Sequence, residues 1–385
     1  MRIVLGNSSL AAYPEGGGHW SCFLQYFLGL ADLGHDVYWF EVLYSSGDPA
    51  RDRGQVTAFF ERMATAGMQA RCALFLHDQA FGRDTADPEH ARILGQTREK
   101  AEDIAASADL LWNFANALKP PLLMRFKTRA LVDVDPGVLQ LSAQTWDMGQ
   151  DSHDVFLTVG TKLHDPDCAV PTLGRTWHGF VPPVYLPMWQ VQPDPGSAAP
   201  FTTVTQWNWE EIADDPALSV SKRQAFLRYL NLPRRTGRNF ELAANIHPDD
   251  RTGDRELLHD HGWRLAHAHD VAGSPEAYRR YIAASRAEIG CPKPIFKTLR
   301  TGWLSDRSAS YLASGRPVLA EDTGVSDHYP TGSGLVTFKT LEEAAAGAAA
   351  IDADYQHHSR AARAFAEEFL DSRRSLTAML AACSP

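Results

Sequence analysis

Between residues 291 and 324 the chain sets Lys293, Lys297, Arg300 and Arg307 beside Asp306, Ser308 and Ser310, followed by Gly315 and by Thr323-Gly324. The spacing predicts a helix over 308–314, and a helix N-terminus offers an anion unpaired backbone N–H groups and the positive end of a dipole. Basic side chains at such a point outline a site for a diphosphate. Arg307 has the planar fork that grips two phosphate oxygens at once, whereas a lysine brings a compact point charge to a leaving group. Lysines and arginines more often decorate a solvated surface. Against that reading stands the closeness of these four to an apolar strand at 317–320 and to a helix closed by glycine.

A second group lies near the start. Gly16-Gly17-Gly18 follows a first apolar strand, where glycines let a ligand approach the backbone closely, and His19 stands at the next helix start. The same glycines also suit a plain turn, His19 also suits a cap, and the GxGxxG spacing of a dinucleotide site is absent. Asp133 and Asp135 fall at the carboxyl end of a strand predicted over 129–134, where open α/β sheets bind ligands, although Asp-Pro-Gly is equally a turn signature. His19 and Asp135 are the candidates for acceptor contact or proton handling. Gly16, Gly17, Gly18 and Asp133 are candidates for the surrounding loops. Trp207-Asn208-Trp209 follows another strand, where an aromatic ring could stack on a base or a sugar or simply pack. His267, His269, His357 and His358 have no carboxylate partner at fixed spacing, so no metal is assigned.

These residues must be held by elements that the hydrophobic pattern predicts. Residues 2–8 read as a buried strand. Trp20, Phe23, Leu24, Phe27, Leu28 and Ala31 then recur at helical spacing until Gly34. A strand at 37–40 completes a β-α-β unit, whose crossover is right-handed in nearly all folds. The pattern continues with strands at 71–76, 110–113, 129–134 and 154–160, the last of this half, and a long helix at 88–108. Eight prolines between 165 and 200 read as an interdomain link. A second series follows: strands at 201–206, 239–244, 262–265, 287–289 and 317–320, helices at 221–230, 275–285 and 308–314, and one or two terminal helices over 341–370. The fold class is therefore α/β, two Rossmann-like doubly wound parallel sheets facing a cleft. Residues 1–190 form the first domain, 191–350 the second, and 351–385 are C-terminal helices packing back on the first.

At 385 residues with 44% hydrophobic content the chain can bury two cores. A net charge of -10 argues against nucleic acid or an anionic membrane as the main partner, while leaving room for one small basic pocket. The five cysteines show neither CxxC nor zinc spacing and read as reduced thiols in a cytoplasmic protein. The N-terminus reads as a strand rather than a cleaved leader, and no apolar run reaches the roughly 20 residues of a membrane span.

Leu312-Ala313-Ser314-Gly315-Arg316-Pro317-Val318-Leu319 followed by Glu321-Asp322-Thr323-Gly324 resembles the donor-binding segment of the group 1 glycosyltransferases, the two-domain GT-B enzymes related to glycogen synthase. Gly302-Trp303-Leu304-Ser305-Asp306-Arg307-Ser308, the opening Gly-Gly-His-Trp and Asp133-Val134-Asp135-Pro136-Gly137 are similar to a bacterial branch of that superfamily. The resemblance is strong over 262–328 and loose elsewhere. It implies transfer of a sugar from a nucleotide-sugar, by default a UDP-sugar, to a small soluble or glycan acceptor. It further implies retention at the anomeric carbon, no essential metal and no cofactor; the oligomeric state stays open. The donor residues would be Lys293, Lys297, Arg300, Asp306, Arg307, Ser308, Ser310, Thr323 and Gly324. The chain departs from the pattern at Ser310 and Gly302, where the superfamily carries glutamates, and Asp306 is the residue that could substitute for the former. That departure keeps an epimerase or phosphorolytic enzyme of the same fold, and a non-catalytic sugar-nucleotide binder, as alternatives. An NAD-dependent oxidoreductase is disfavoured by the missing fingerprint.

Overall fold

The structure, a computed structural model, describes residues 1–78, 91–247 and 249–384. The first half runs β1 (Arg2–Asn7), α1 (Gly17–Asp32), β2 (Asp36–Tyr44), α2 (Pro49–Thr65), β3 (Cys72–His77), β4 (Arg92–Leu94), α3 (Arg98–Ser107), β5 (Leu110–Phe114), β6 (Arg129–Asp133), α4 (Val138–Ser142), β7 (Val155–Thr158) and β8 (Trp177–Gly179). Its sheet has the order β4-β3-β2-β1-β5-β6-β7-β8, parallel except for the β3–β4 pair. The central strands are apolar on both faces because helices cover both, which explains their nearly unbroken hydrophobic runs.

The second half runs β9 (Phe201–Thr205), α5 (Lys222–Leu227), α6 (Leu232–Thr236), β10 (Phe240–Ala244), α7 (Asp254–Asp260), β11 (Trp263–Ala266), α8 (Ala268–Ala272), α9 (Pro275–Ala284), β12 (Ala287–Gly290), α10 (Pro294–Thr298), α11 (Asp306–Ala313), β13 (Val318–Glu321) and β14 (Leu335–Phe338). These strands pair in the order β11-β10-β9-β12-β13-β14. Helices α12 (Leu341–Ala353), α13 (Tyr355–Phe365) and α14 (Ser372–Ala382) end the chain. In each sheet the strand order reverses beside its first strand, and at such a switch point the loops splay to leave a crevice at the carboxyl ends. The loops after β1, β9 and β12 are the ones placed there.

The two halves are joined by more than their link. Ile295, Phe296 and Leu299 of the second half share one buried apolar cluster with Leu131, Leu139, Phe156 and Trp177 of the first. Helix α14 returns to α1, adding Leu376 and Met379 to the first core, and a Cβ on Gly29 would lie 2.5 Å from Leu376 Cδ1. Among the described residues no helix is long and apolar enough to cross a membrane.

Several elements differ from the sequence expectation. The helix expected over 88–108 is α3 alone, preceded by the edge strand β4, and residues 88–90 lie outside the described ones. The strand at 154–160 is not the last of its sheet, because the short β8 adds to β7. A three-residue strand has too few alternations to show a period. The proline-rich stretch is not a free link: Val184 N–H donates to Leu370 O (2.7 Å), and Trp189 Nε1 donates to Gln25 Oε1 (2.8 Å). Helix α2, which no expectation covered, is started by the Asp48 side chain and buries Phe59 and Met63 within an otherwise charged sequence.

Candidate functional site

Between the two sheets lies a cavity of about 540 Å³. Its walls include Gly16, Gly17, Gly18 and His19 from the start of α1, and Asp306 and Arg307 from the start of α11. Two helix N-termini thus converge on one space. Among the described residues no side chain caps α1, while Ser305 caps α11 by accepting from Arg307 N–H (3.2 Å). Convergent N–H groups and dipole ends favour an anion at this point, beside Arg307 and against the carboxylates of Glu15 and Asp306.

Each of the four basic residues has a carboxylate partner. Arg307 Nε donates to Glu288 Oε1 (2.5 Å) and its Nη1 to Val204 O (3.0 Å). Glu288 is fully buried, and its Oε2 finds no hydrogen-bond donor among the described residues. Burial opposes the Arg307 charge, but the Glu288 carboxylate outweighs it and holds the guanidinium above its ordinary pKa. Lys293 Nζ reaches across the cleft to Asp135 Oδ1 (2.8 Å). Lys297 donates to Glu321 Oε1 (2.6 Å), and Arg300 donates to Asp167 Oδ2 (2.5 Å) and Asp327 Oδ2 (2.7 Å). Neither Lys297 nor Arg300 borders the cavity. Arg300 belongs instead to an ionic seam between the halves that includes the buried Lys162.

The small residues of the segment are mostly structural. Ser310 is buried with Oγ donating to Asp306 O (2.9 Å), and Thr323 Oγ1 donates to Trp303 O (2.7 Å). Ser308 and Thr323 border a smaller recess that shares Arg307 with the cavity. Gly324 has φ +96°, and a Cβ there would lie 2.8 Å from Lys162 Cδ. Gly302 has a physical explanation: a Cβ at this position would lie 2.5 Å from Thr161 Oγ1 and 2.7 Å from Lys162 Cγ. The first domain fills the space where a glutamate side chain would start. Asp306 borders the cavity, and burial raises its pKa, with Arg307 acting in the opposite sense.

On the facing wall His19 is half-buried, its Nε2 2.7 Å from Ser9 Oγ and its ring edge-on to Phe23. Burial pushes its pKa down to about 4, with Asp135 pulling the other way, so the imidazole is neutral at pH 7. Tyr13 crosses the cleft: its hydroxyl lies 2.8 Å from His269 Nε2 and accepts from Asn245 Nδ2 (3.2 Å). Gly17 and Gly18 serve contact between the domains, whereas a Cβ on Gly16 would lie 2.3 Å from the Tyr13 ring of its own domain. A Cβ on Gly17 would lie 2.2 Å from Ser274 O and 2.3 Å from Ala272 O, and one on Gly18 would press the Tyr278 ring. Asp133 does not border the cavity; it is 1% exposed and accepts from Gln140, Thr158 and the Asp135 N–H. Burial raises its pKa to about 6 and those hydrogen bonds work against the rise. It orders the turn that presents Asp135, which is itself half-exposed. His357 and His358 sit on α13, bonded near Ser333 and Gly334, away from the cavity.

Lys222 escaped the sequence reading, since a lysine at a helix start resembles ordinary surface. The structure buries it, with Nζ donating to Cys291 O (2.7 Å). Burial first, then the charges of Arg307 and Lys293, bring its pKa down to about 7. The neighbouring tryptophans also separate: Trp207 is buried and donates to Asp254, while Trp209 is exposed on the cavity wall.

No protein-family model matches the chain, and no curated protein matches its sequence. Solved structures do resemble it over essentially its whole length. An alpha-glucosyltransferase in complex with UDP matches with a TM-score of 0.62 at 11% identity, covering 100% of both chains. HepE from Anabaena, in complex with UDP and glucose, matches with a TM-score of 0.57 at 13% identity, covering 99% of this chain and 100% of that one. A glycosyltransferase of avilamycin A biosynthesis matches with a TM-score of 0.55 at 14% identity, covering 99% and 96%. At such identities the likeness establishes the fold: two parallel-sheet domains in the GT-B arrangement of these glycosyltransferases.

Proposed function

We propose that the chain is a glycosyltransferase that takes a sugar from a nucleoside-diphosphate donor, UDP by analogy with its structural neighbours, and passes it to an acceptor hydroxyl in the cleft. The observation that carries this reading is the convergence of two helix N-termini on a cavity that also receives Arg307, with Lys222 and Lys293 within electrostatic reach. Departure of a diphosphate concentrates negative charge at that point, and preorganised N–H groups and cations stabilise it without reorganising during the reaction. In this reading the diphosphate competes for cations now held by carboxylates: Lys293 is shared with Asp135, and Arg307 keeps its Nη2 for the ligand. Asp135 is the carboxylate for the acceptor hydroxyl. His19, neutral and bonded to Ser9, orients a sugar hydroxyl rather than taking its proton, since a base with a pKa near 4 has little driving force at pH 7. Retention and metal independence belong to the same proposal and rest on the sequence resemblance; a cytoplasmic location belongs to it too and rests on the cysteine pattern.

A thermal-shift panel of UDP, GDP, ADP and dTDP tests the donor site, because a ligand that binds only the folded state raises its apparent stability. A shift with one diphosphate and transfer from the corresponding sugar nucleotide is expected. Absence of any shift removes the reading. Lys222 adds a pH signature: it is charged below pH 7 and loses its proton above, so UDP affinity falls by up to about tenfold per unit between pH 7 and 9. In Lys222→Met the dissociation constant, measured by calorimetry, is weaker and flat over that range. A flat wild-type profile would detach Lys222 from the ligand.

A further inference from the structure

We propose that Trp209 is the stacking platform for an uncharged saccharide acceptor and that the acidic lip around it turns away polyanions, an inference that rests on the transferase reading above. Of the chain's 10 tryptophans, Trp209 is the one that borders the cavity among the described residues, and it is 55% exposed. Its loop is anchored on both sides of the indole. Trp207 sits in the core, while Glu211 accepts from Ser219 Oγ (2.6 Å) and Val220 N–H (2.9 Å). Lys293 Nζ stands 5.5 Å from the ring centroid and is bonded to Asp135. A ligand lying on the indole therefore meets an ammonium donor and a carboxylate acceptor at its edge. An aromatic face flanked by such groups complements a pyranose, which shows an apolar C–H face and a rim of hydroxyls.

Charge selects the class of acceptor. From 206 to 221 the chain holds Glu210, Glu211, Asp214 and Asp215 and no lysine or arginine, and all four carboxylates are exposed. Glu15 and Asp135 add to them from the facing domain. Arg307 and Lys222 are buried more deeply, where the donor diphosphate is placed, and Lys293 at the edge of the indole is bonded to Asp135. A polynucleotide could stack a base on Trp209, but its phosphates would then pass the exposed carboxylates of this stretch against a nearby ammonium, Lys293, that is already paired with Asp135, at a cost that salt only partly screens.

The test uses the UDP-loaded full chain, with saturation-transfer NMR against a panel of neutral methyl glycosides and oligosaccharides and against a 13-mer DNA duplex with hydroxymethylated bases. Wild type is expected to bind a saccharide and not the DNA. Trp209→Ala raises that saccharide's apparent dissociation constant by about tenfold while UDP affinity stays within about twofold, and Trp209→Phe restores most of the loss. Binding of no saccharide, binding of the DNA, or an unchanged saccharide affinity in Trp209→Ala overturns the proposal. Failure of wild type to bind any of UDP, GDP, ADP and dTDP is a separate result that removes the transferase reading itself.

Discussion

Replacing Arg307 by alanine is expected to lower the unfolding free energy by about 3–5 kcal/mol, a larger effect than on any ligand. Glu288 is fully buried at the root of the cleft, and Arg307 is its charged partner at 2.5 Å. Without the guanidinium the carboxylate must stay buried and uncompensated or take up a proton, and among the described residues its second oxygen already lacks a donor. The Glu288→Gln/Arg307→Ala double variant removes the buried charge and should recover most of the stability. Urea denaturation distinguishes the outcomes, with a lower midpoint at unchanged slope for the single variant. A single variant within about 1 kcal/mol of wild type would mean that water reaches Glu288. The recovered double variant then isolates the binding role: it should be folded yet bind UDP about 10- to 100-fold more weakly, the equivalent of a lost charge-assisted contact.

Gly17→Ala is the second large effect and acts through geometry. The new methyl would fall 2.2–2.4 Å from the backbone of Ser274 and 2.3 Å from Ala272 O, with no flexible side chain to give way. The start of α1 must then withdraw from the α8–α9 corner, which loosens the Arg62 contact to Gly273 O and the Tyr13–His269 contact. Displacement by about 1 Å of groups that orient reactants costs on the order of 100-fold in rate. Sugar-transfer turnover should fall accordingly, while far-UV circular dichroism stays unchanged because the strain lies between the domains. Gly54, mid-way along α2 with open space around it, supplies the control: Gly54→Ala should leave turnover alone and add about 0.5–1 kcal/mol of stability. Wild-type turnover in Gly17→Ala would show that the cleft tolerates a wider setting.

Much of this architecture was legible before any coordinates. Runs such as Ile3-Val4-Leu5 and Val318-Leu319 are apolar without alternation because both faces of a parallel sheet are covered, and glycine and proline punctuate the helices between them. The segment containing Asp306 and Arg307 was likewise readable as a helix start bearing charge, and the structure places both on the cavity. What no pattern along the chain could show was how the cations pair. Lys293 meets Asp135 and Arg300 meets Asp167 from the other half of the chain, while Lys297 turns to Glu321 and away from the cleft. Periodicity reports which face of an element is apolar, whereas pairing and desolvation depend on neighbours that only the packed domains bring together. For the same reason nothing along the chain singled out Lys222, whose pKa is brought down to about 7 by burial and by the charges of Arg307 and Lys293. Gly17 read as part of a ligand loop and does border the cavity, but the second domain's backbone packed against it was not legible along the chain. The amino-acid sequence by itself determined the two sheets and the helix that carries Arg307. The tertiary structure alone decided which charges are spent on each other and which face the cavity, because that depends on distances between residues more than a hundred positions apart.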